Sequence, residues 1–272
     1  MRLKQLVLFT TGLVLAAAFI TACSRTPADS FQGYLEGEFV YVAAPIGGAL
    51  TTLAVARGDS VKTGQLLFQL EHESEAAAVR QAEQNLAQAT ASFARSENEY
   101  ARRLKLRGDN AGVISAEELD QARARRDADE AQVASQKAAL ARAQWSLDQK
   151  QQTAPADAQV QDTLYRQGEW VAAGNPVVAL LPPANIKVRF FVPQDLLPRL
   201  RTGEAASVTF DGGRRAYTAT IDYISSQAEF TPPVLYNREN RAKLIYRIEA
   251  KFLPADAAEL RPGQPVDVKP HP

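Results

Sequence analysis

Apolar and small residues recur at alternating spacings of three and four along a central segment, residues 71–152. The segment is also rich in alanine, glutamate, glutamine, lysine and arginine, which favour helix. This spacing puts the recurring residues on one helix face and predicts a coiled-coil seam. The seam residues are Val79, Ala82, Leu86, Ala89, Phe93, Ser96 and Tyr100 in the first half, and Leu119, Ala122, Val133, Leu140, Ala143 and Leu147 in the second, where Arg126, Asp129 and Gln136 interrupt the pattern.

The midpoint of this segment carries the signals of a turn between two helices. Gly108 and Gly112 lie there, and a glycine can close a helix in a left-handed cap. Ser115 and Glu118 then form an S-x-x-E capping box, which predicts the start of the second helix. Two helices of roughly 34 and 37 residues, each ~50–55 Å long, would form an antiparallel hairpin. The alternative is a helical bundle domain, but the segment offers no third helix to complete one.

Two stretches that flank the hairpin repeat each other at an offset of 110 residues. The matched pairs are Ala44 and Ala154, Pro45 and Pro155, Leu50 and Val160, Gly58 and Gly168, Asp59 and Glu169, Val61 and Val171, Gly64 and Gly174, Leu67 and Val177, and Leu70 and Leu180. The four glycines predict turns between short strands, because glycine adopts positive φ cheaply. Neither copy can bury a core alone. The repeat therefore predicts one β-sandwich from residues 37–70 and 153–182.

After Pro183 the pattern changes to short runs of β-forming residues, and at least the first alternates apolar with charged residues. The predicted strands are Ile186 to Val192, Ala206 to Phe210, Tyr217 to Ile224, Leu244 to Phe252 and Val266 to Val268. Five or six short strands favour a small β-barrel over residues 183–272, since closure hides strand edges. The predicted fold class is α+β, mostly β with a long antiparallel α-helical coiled-coil hairpin.

The N-terminus has the pattern of a secreted lipoprotein. Arg2 and Lys4 precede an apolar run of 14 residues, which is shorter than the ~20 residues that span a bilayer. The run ends in Ile-Thr-Ala-Cys, which is similar to a bacterial lipobox and predicts a lipidated Cys23. Residues 1–22 would then be the signal peptide and residues 23–36 a linker. The alternative is an ordinary signal peptide that happens to contain a cysteine.

Composition excludes several classes of function. The 31 basic residues balance the 31 acidic ones, so nothing indicates a nucleic-acid partner. Cys23 is the only cysteine, and His72 is followed four residues later by Ala76, so the H-E-x-x-H zinc motif is absent. We find no catalytic set and no phosphate-binding glycine loop. The sequence therefore predicts neither an enzyme nor a cofactor or metal site.

The order of half-motif, insertion and half-motif resembles the split lipoyl-like domain of HlyD-type periplasmic adaptors, also called membrane fusion proteins. The residues that carry the resemblance are Ala44-Pro45-Ile46-Gly47-Gly48, residues 55–61 and residues 64–68, answered by Ala154-Pro155, residues 168–171 and residues 174–178. A lipoyl or biotin carrier would need a lysine at the junction of the half-motifs, where residues 69–73 contain none. The resemblance therefore implies an adaptor.

In this family the hairpin tip docks against a TolC-like outer-membrane channel. The associated pattern of Arg, Leu and Ser implies that Arg102, Leu106 and Ser115 form the docking site. The interval from Leu106 to Ser115 is two residues longer than usual, which implies a looser turn. Each residue also has a local explanation: Arg102 as a solvated cation, Leu106 as a seam residue and Ser115 as a helix cap.

The barrel is most similar to those of adaptors that serve ABC-type exporters, through residues 227–233, 241–247 and 260–266. The resemblance implies a transporter-facing loop at Glu229, Phe230, Thr231 and Pro232; the alternative is a rigid loop without contacts. An RND-type pump as partner, or a lipoprotein that spaces the two membranes without transport, remain alternatives.

The family further implies a ring of copies of the chain, usually six, between an inner-membrane exporter and the channel. It places the protein in the periplasm, held at the inner membrane by the lipid on Cys23. Ser24, which follows the lipidated position, leaves the outer membrane open as the alternative site.

Overall fold

The computed structural model describes residues 30–109, 112–210, 215–229 and 244–270. The predicted lipidation site Cys23, the neighbouring Ser24, and Phe230, Thr231 and Pro232 of the predicted loop lie outside the described residues. The chain divides into two compact units, Phe39–Pro182 and the remainder, which joins Met1–Glu38 to Pro183–Pro272.

The described residues form strands and helices in the following order: β1 (Phe31–Gly37), β2 (Val40–Ala43), β3 (Gly48–Leu53), β4 (Ser60–Val61), β5 (Leu66–Leu70), α1 (Glu73–Asp109), α2 (Ala116–Asp148), β6 (Gln151–Thr153), β7 (Ala158–Thr163), β8 (Trp170–Val171), β9 (Pro176–Leu181), β10 (Ile186–Pro193), β11 (Ala205–Phe210), β12 (Tyr217–Glu229), β13 (Ile245–Phe252), α3 (Pro254–Ala257) and β14 (Pro265–Pro270). Single 3-10 turns lie at Pro183–Asn185 and Leu197–Arg199.

The predicted helical hairpin is confirmed, with helices of 37 and 33 residues that pack against each other along their length. Buried and half-buried positions follow the three-and-four spacing on both helices, as the seam requires. The interrupting polar residues also lie in the seam and are half-buried. Arg126 adapts by placing its guanidinium 5.3 Å from the ring centre of Tyr100 and 2.9 Å from Asp127. Its aliphatic stem and charge are thus both accommodated between the helices.

The sandwich has two four-stranded sheets, ordered β2-β9-β7-β4 and β6-β5-β3-β8. The offset of 110 residues maps each strand of the first half onto one of the second, and therefore maps one sheet onto the other. The backbone bonds repeat as well: Leu50 donates to Glu169 at 2.8 Å, and the equivalent Val160 donates to Asp59 at 2.8 Å. Each sheet contains strands from both halves, so neither half is a sheet by itself. The shared core includes Leu67, Phe68, Leu70, Val171, Val177 and Leu180.

The repeat glycines lie in the turns at the ends of the short strands. Their φ angles are 94° at Gly58, 81° at Gly64, 95° at Gly168 and 79° at Gly174. In the first turn of each copy the acid after glycine caps the turn: the Asp59 carboxylate accepts from the Ala56 amide at 2.8 Å, as Glu169 does from Arg166. A side chain at any of these glycines would be strained in the left-handed region.

The two halves differ at one turn, where the second half has Asp157 at the position equivalent to Gly47 of the first. Asp157 lies 2.8 Å from the ammonium of Lys62 and accepts the Thr63 amide at 2.9 Å. The bond from Lys62, followed by those from Thr63, lowers the pKa of Asp157 from 3.8 to about 2. Because the folded-state pKa is lowered, the carboxylate stabilises the fold above about pH 4, and this contribution is lost as pH falls towards about 2.

We therefore expect Asp157→Asn to melt below the wild-type protein at about pH 6, with a gap that narrows at about pH 2.5. The melting temperature of both proteins at each pH measures the gap. Both side chains are exposed, so added salt should reduce it. A gap that stays constant across this range would show that Asp157 acts through its neutral contacts alone.

The barrel is closed by six strands in the order β1-β10-β13-β12-β11-β14. Our expectation of a linker over residues 23–36 is wrong for residues 31–36, which belong to β1. Phe31 and Leu35 of this strand are buried, and β1 pairs with both β10 and β14. Without it those two strands would present open edges. The barrel therefore needs a strand from the opposite end of the chain.

Candidate functional site

The polarity of helix α1 reverses close to the hairpin tip. After Tyr100 the three-and-four spacing continues at Arg103 and Arg107, which are half-buried, and Arg103 donates to the carbonyl oxygen of Glu118 on the opposite helix. Leu104 and Leu106 instead face solvent, with 48% and 42% of their surface exposed, and Val113 beyond the turn is 56% exposed. Leu106 is therefore not a seam residue, because Arg107 takes the seam position in this turn of the helix. The last turns of α1 have arginines inside and leucines outside.

Arg102 is an exposed cation that is paired within its own helix. Its side chain is 68% exposed, and its guanidinium contacts the carboxylate of Glu99. The other carboxylate oxygen of Glu99 accepts from Nε of Arg103 at 2.7 Å. One acid thus orients two neighbouring arginines, of which Arg102 faces outward and Arg103 faces α2.

Ser115 is the N-cap of α2, as the sequence predicts. Its hydroxyl accepts the Glu118 amide at 3.1 Å, and the Glu118 carboxylate accepts the Ser115 amide at 2.9 Å, which completes the capping box. The bonds that the Ser115 amide and hydroxyl donate to the Glu118 carboxylate, with a further contribution from the charge of Arg103, lower the pKa of Glu118. The cap is a sufficient local reason for a serine at this position.

The sequence motif is only partly assembled in the structure. Arg102 and Ser115 are connected through Glu99, Arg103 and Glu118, since Arg103 also donates to the carbonyl oxygen of Glu118 at 3.2 Å. Leu106 contributes instead to the exposed apolar surface. Residues 110 and 111, which belong to the longer turn, lie outside the described residues.

A second polar cluster joins the base of the hairpin to the sandwich, and sequence reasoning missed it. Lys150, which follows α2, is 4% exposed. Its ammonium lies 3.0 Å from the Glu75 carboxylate and donates to the Gly47 carbonyl at 2.8 Å. Burial raises the pKa of Glu75, but bonds from Lys150 and Ser74 outweigh this effect and leave the pKa lowered. The sequence holds no signal for this contact, because Lys150 stands in an ordinary polar run, Asp-Gln-Lys-Gln-Gln.

At the predicted transporter-facing loop, the structure describes only Glu229. This residue ends β12 and lies 3.3 Å from Arg247 of β13, whose Nε is 3.6 Å from Glu249. Glu249 continues the ion-pair network along the barrel surface to Lys187 and Arg189 at 2.5 and 3.1 Å. Burial raises the pKa of Glu249, but the bonds and charges of these two cations outweigh it.

Over residues 30–109, 112–210, 215–229 and 244–270, no three His, Cys, Asp or Glu side chains are grouped to hold a metal ion. No helix within the described part of the chain is long and apolar enough to cross a membrane.

Comparison with known proteins places this geometry in a family. Residues 78–150 match the family model described as "RND MFP, alpha-helical hairpin domain". The UPF0194 membrane protein Ent638_1286 of Enterobacter sp. (strain 638) is 30% identical over 277 residues, which cover 82% of this chain and 83% of that protein. The uncharacterized protein YdhJ of Escherichia coli (strain K12) is 30% identical over 178 residues, which cover 65% of this chain and 61% of YdhJ.

Among solved structures, the crystal structure of MacA from Actinobacillus actinomycetemcomitans is similar with a TM-score of 0.67 and 19% identity, over 89% of this chain and 78% of that chain. At this identity the likeness concerns the fold, which has the same hairpin and β-rich domains. The chain therefore belongs to the family of the UPF0194 membrane proteins, and its hairpin matches that of the RND membrane fusion proteins.

Proposed function

We propose that this chain is the adaptor subunit of a tripartite efflux or secretion system, in which it links an inner-membrane exporter to a TolC-like outer-membrane channel. The observation that carries the proposal is the reversed polarity at the hairpin tip, where arginines fill the seam and leucines face solvent. Burying apolar surface against a partner is favourable by roughly 25 cal/mol per Å². Exposed leucines at the end of two helices ~50 Å long therefore suit end-on docking.

Photo-crosslinking in cells tests this docking directly. A photoreactive amino acid at position 106 should crosslink to the host's TolC-type channel, because this side chain faces outward at the tip. The same amino acid at Arg80, which is exposed near the other end of α1, serves as the matched control and should not. Equal crosslinking from both positions, or none from position 106, would contradict tip docking.

The inner-membrane partner in this proposal is an ABC-type exporter. Support comes from the resemblance of residues 227–233 and 241–247 to the barrels of adaptors for such exporters. The hairpin matches a family model whose description contains the term RND, which favours an RND-type pump as the second candidate. Purification of the full-length protein from membranes, followed by mass spectrometry, distinguishes an ATPase with its permease from an RND pump.

The adaptor acts as a ring of copies, with six as the number usual in the family. In this arrangement the hairpins stand side by side and their tips meet the channel together. The pump that the ring serves would supply the energy, and the chain itself would supply span and alignment without catalysis.

The proposed anchor is a lipid on Cys23, which would hold the ring at the inner membrane. We expect mass spectrometry of the mature N-terminus to find Cys23 as the first residue, carrying the diacylglycerol thioether and an N-acyl chain. Cys23→Ser should block this processing and leave the signal peptide attached. Cleavage elsewhere with an unmodified cysteine would contradict the lipid anchor, and membrane fractionation would decide whether Ser24 directs the protein to the outer membrane.

A further inference from the structure

We propose that Arg103 is a positioning residue for docking: it fixes the start of α2 against α1, so that Ser115 and Arg102 face the channel in a single arrangement. This inference rests on the proposed function, because it concerns the same site. Arg103 is not part of the sequence motif that indicates docking. Its role follows from the contacts that it makes on both helices.

The guanidinium of Arg103 bridges the two helices. Its Nε donates to Glu99 of α1 at 2.7 Å, and its Nη1 donates to the carbonyl oxygen of Glu118 of α2 at 3.2 Å. The side chain is 33% exposed, since residue 103 takes the seam position that follows Tyr100. A planar, branched donor can make both bonds at once, whereas the single ammonium of lysine has no such fixed fork.

On α2, the bond from Arg103 reaches the residue that holds Ser115. The Glu118 carboxylate accepts the Ser115 amide at 2.9 Å and its hydroxyl at 2.8 Å. These bonds fix the first turn of α2 internally but do not attach it to α1. Arg103 supplies an attachment at the carbonyl oxygen of Glu118, which has two lone pairs and can accept this bond besides a helical one. Arg103 therefore supplies a hydrogen bond that fixes the position of Ser115 relative to α1, in addition to the packing of the seam.

On α1, the same arginine shares its acid with Arg102. One oxygen of Glu99 accepts from Arg103 and the other contacts Arg102. Loss of Arg103 would leave this carboxylate free to change rotamer, and Arg102 would lose a fixed direction. We call Arg102, Glu99, Arg103, Glu118 and Ser115 the tip clamp. It joins the two polar members of the docking motif through one residue.

An arginine in the seam is a poor choice for packing alone. A leucine at this position would bury more apolar surface, as Leu86 and Leu119 do elsewhere along the same seam. Leucines are present nearby, but they face solvent at positions 104 and 106. The arrangement at the tip thus favours a directed polar contact over apolar burial, which is what positioning requires.

Arg103→Gln tests the proposal in the full-length mature protein. We expect its affinity for the host's TolC-type channel, purified in detergent and immobilised, to fall by about tenfold, because the docking residues lose their common arrangement. Hydrogen exchange of the amides at 116–119 should accelerate, since the first turn of α2 loses its hydrogen bond to α1. Arg103→Lys keeps the charge without the fork and should give an intermediate loss of affinity.

Arg126→Gln is the matched control, because Arg126 is also a half-buried seam arginine but lies farther from the tip. It should lower the melting temperature while leaving channel affinity and the exchange of amides 116–119 unchanged. If Arg103→Gln binds the channel like the wild-type protein, or loses affinity only in step with its melting temperature, the positioning role is overturned. Failure of the proposed function is distinguishable, because Leu106→Asp would then bind normally too.

Discussion

The Leu106→Asp variant is expected to lose docking and export while it still folds and reaches the envelope. Leu106 is 42% exposed and lies outside the seam, so the folded hairpin loses little packing. In the docked complex, a carboxylate would replace an apolar contact without a partner, which costs several kcal/mol and weakens binding by roughly 100-fold or more. Channel affinity in detergent and export from cells that carry only the variant measure the effect.

Leu164→Asp provides the matched control, because Leu164 is 46% exposed but lies in the sandwich rather than at the tip. It should dock and export like the wild-type protein. Arg102→Asp should resemble Leu106→Asp, since it reverses the outward-facing charge beside Glu99. Normal export by both tip variants would remove the tip from the mechanism. Normal export in cells that lack the protein entirely would favour the membrane-spacing alternative instead.

The Lys150→Met variant is expected to lower the free energy of unfolding by about 3 kcal/mol, because breaking a buried pair leaves one charge uncompensated. Lys150 holds the Glu75 carboxylate at 3.0 Å and the Gly47 carbonyl at 2.8 Å, and the side chain of Glu75 is only 18% exposed. Methionine fills the volume but offers neither bond. Urea unfolding followed by circular dichroism measures the loss.

A double variant separates the pair from the general effect of the substitution. Lys150→Met combined with Glu75→Leu should recover most of the loss, since an apolar pair of similar volume is often neutral. Lys137→Met, at an exposed position of α2, is the control and should unfold like the wild-type protein. If the single and double variants were equally unstable, Lys150 would stabilise the joint through Gly47 rather than through Glu75.

The elements that the sequence predicts well are those with a long or repeated pattern. The seam from Val79 to Tyr100 appears in the structure with the same spacing, because helix packing imposes one period on many residues. The sandwich follows from the offset of 110 residues, since equivalent residues such as Leu50 and Val160 make equivalent backbone bonds. In both cases one residue that departs from the pattern does not obscure it, because many other residues follow it.

Strand β1 was missed because its partners lie far along the chain, although one signal pointed to them. The turns at residues 166–169 and 201–204 share the pattern R-x-G-E, and residues 261–264 have the related R-P-G-Q. In each turn the amide of the glycine and the carbonyl of the next residue bond one residue of a neighbouring strand. For the last turn that residue is Leu35, at 2.8 and 2.9 Å. The pattern therefore predicts that a strand lies beside each turn, but it does not identify which strand of the chain this is.

The tip clamp and the contacts of Lys150 with Glu75 and Gly47 could not be predicted from the sequence either, for a different reason. Both depend on which side chains meet across two elements, and polar residues are common on every face of these helices. Arg103 takes a seam position that the spacing predicts, yet arginine there reads as an interruption rather than a contact. Only the geometry shows that its two ends bind Glu99 and Glu118.

The pairing of β1 with β14 gives the chain a nested order, like brackets within brackets. Along the sequence, the hairpin lies between the two halves of the sandwich, and the sandwich lies between β1 and the other barrel strands. Innermost contacts are closest in sequence and close the shortest loops, so assembly should begin at the turn between the helices and proceed outwards. A chain that emerges N-terminus first must therefore hold β1, β2 and β4 without their partners until the hairpin has followed and β10, β9 and β7 emerge. Until those partners emerge, newly made molecules depend on other proteins that keep the unpaired strands from aggregating.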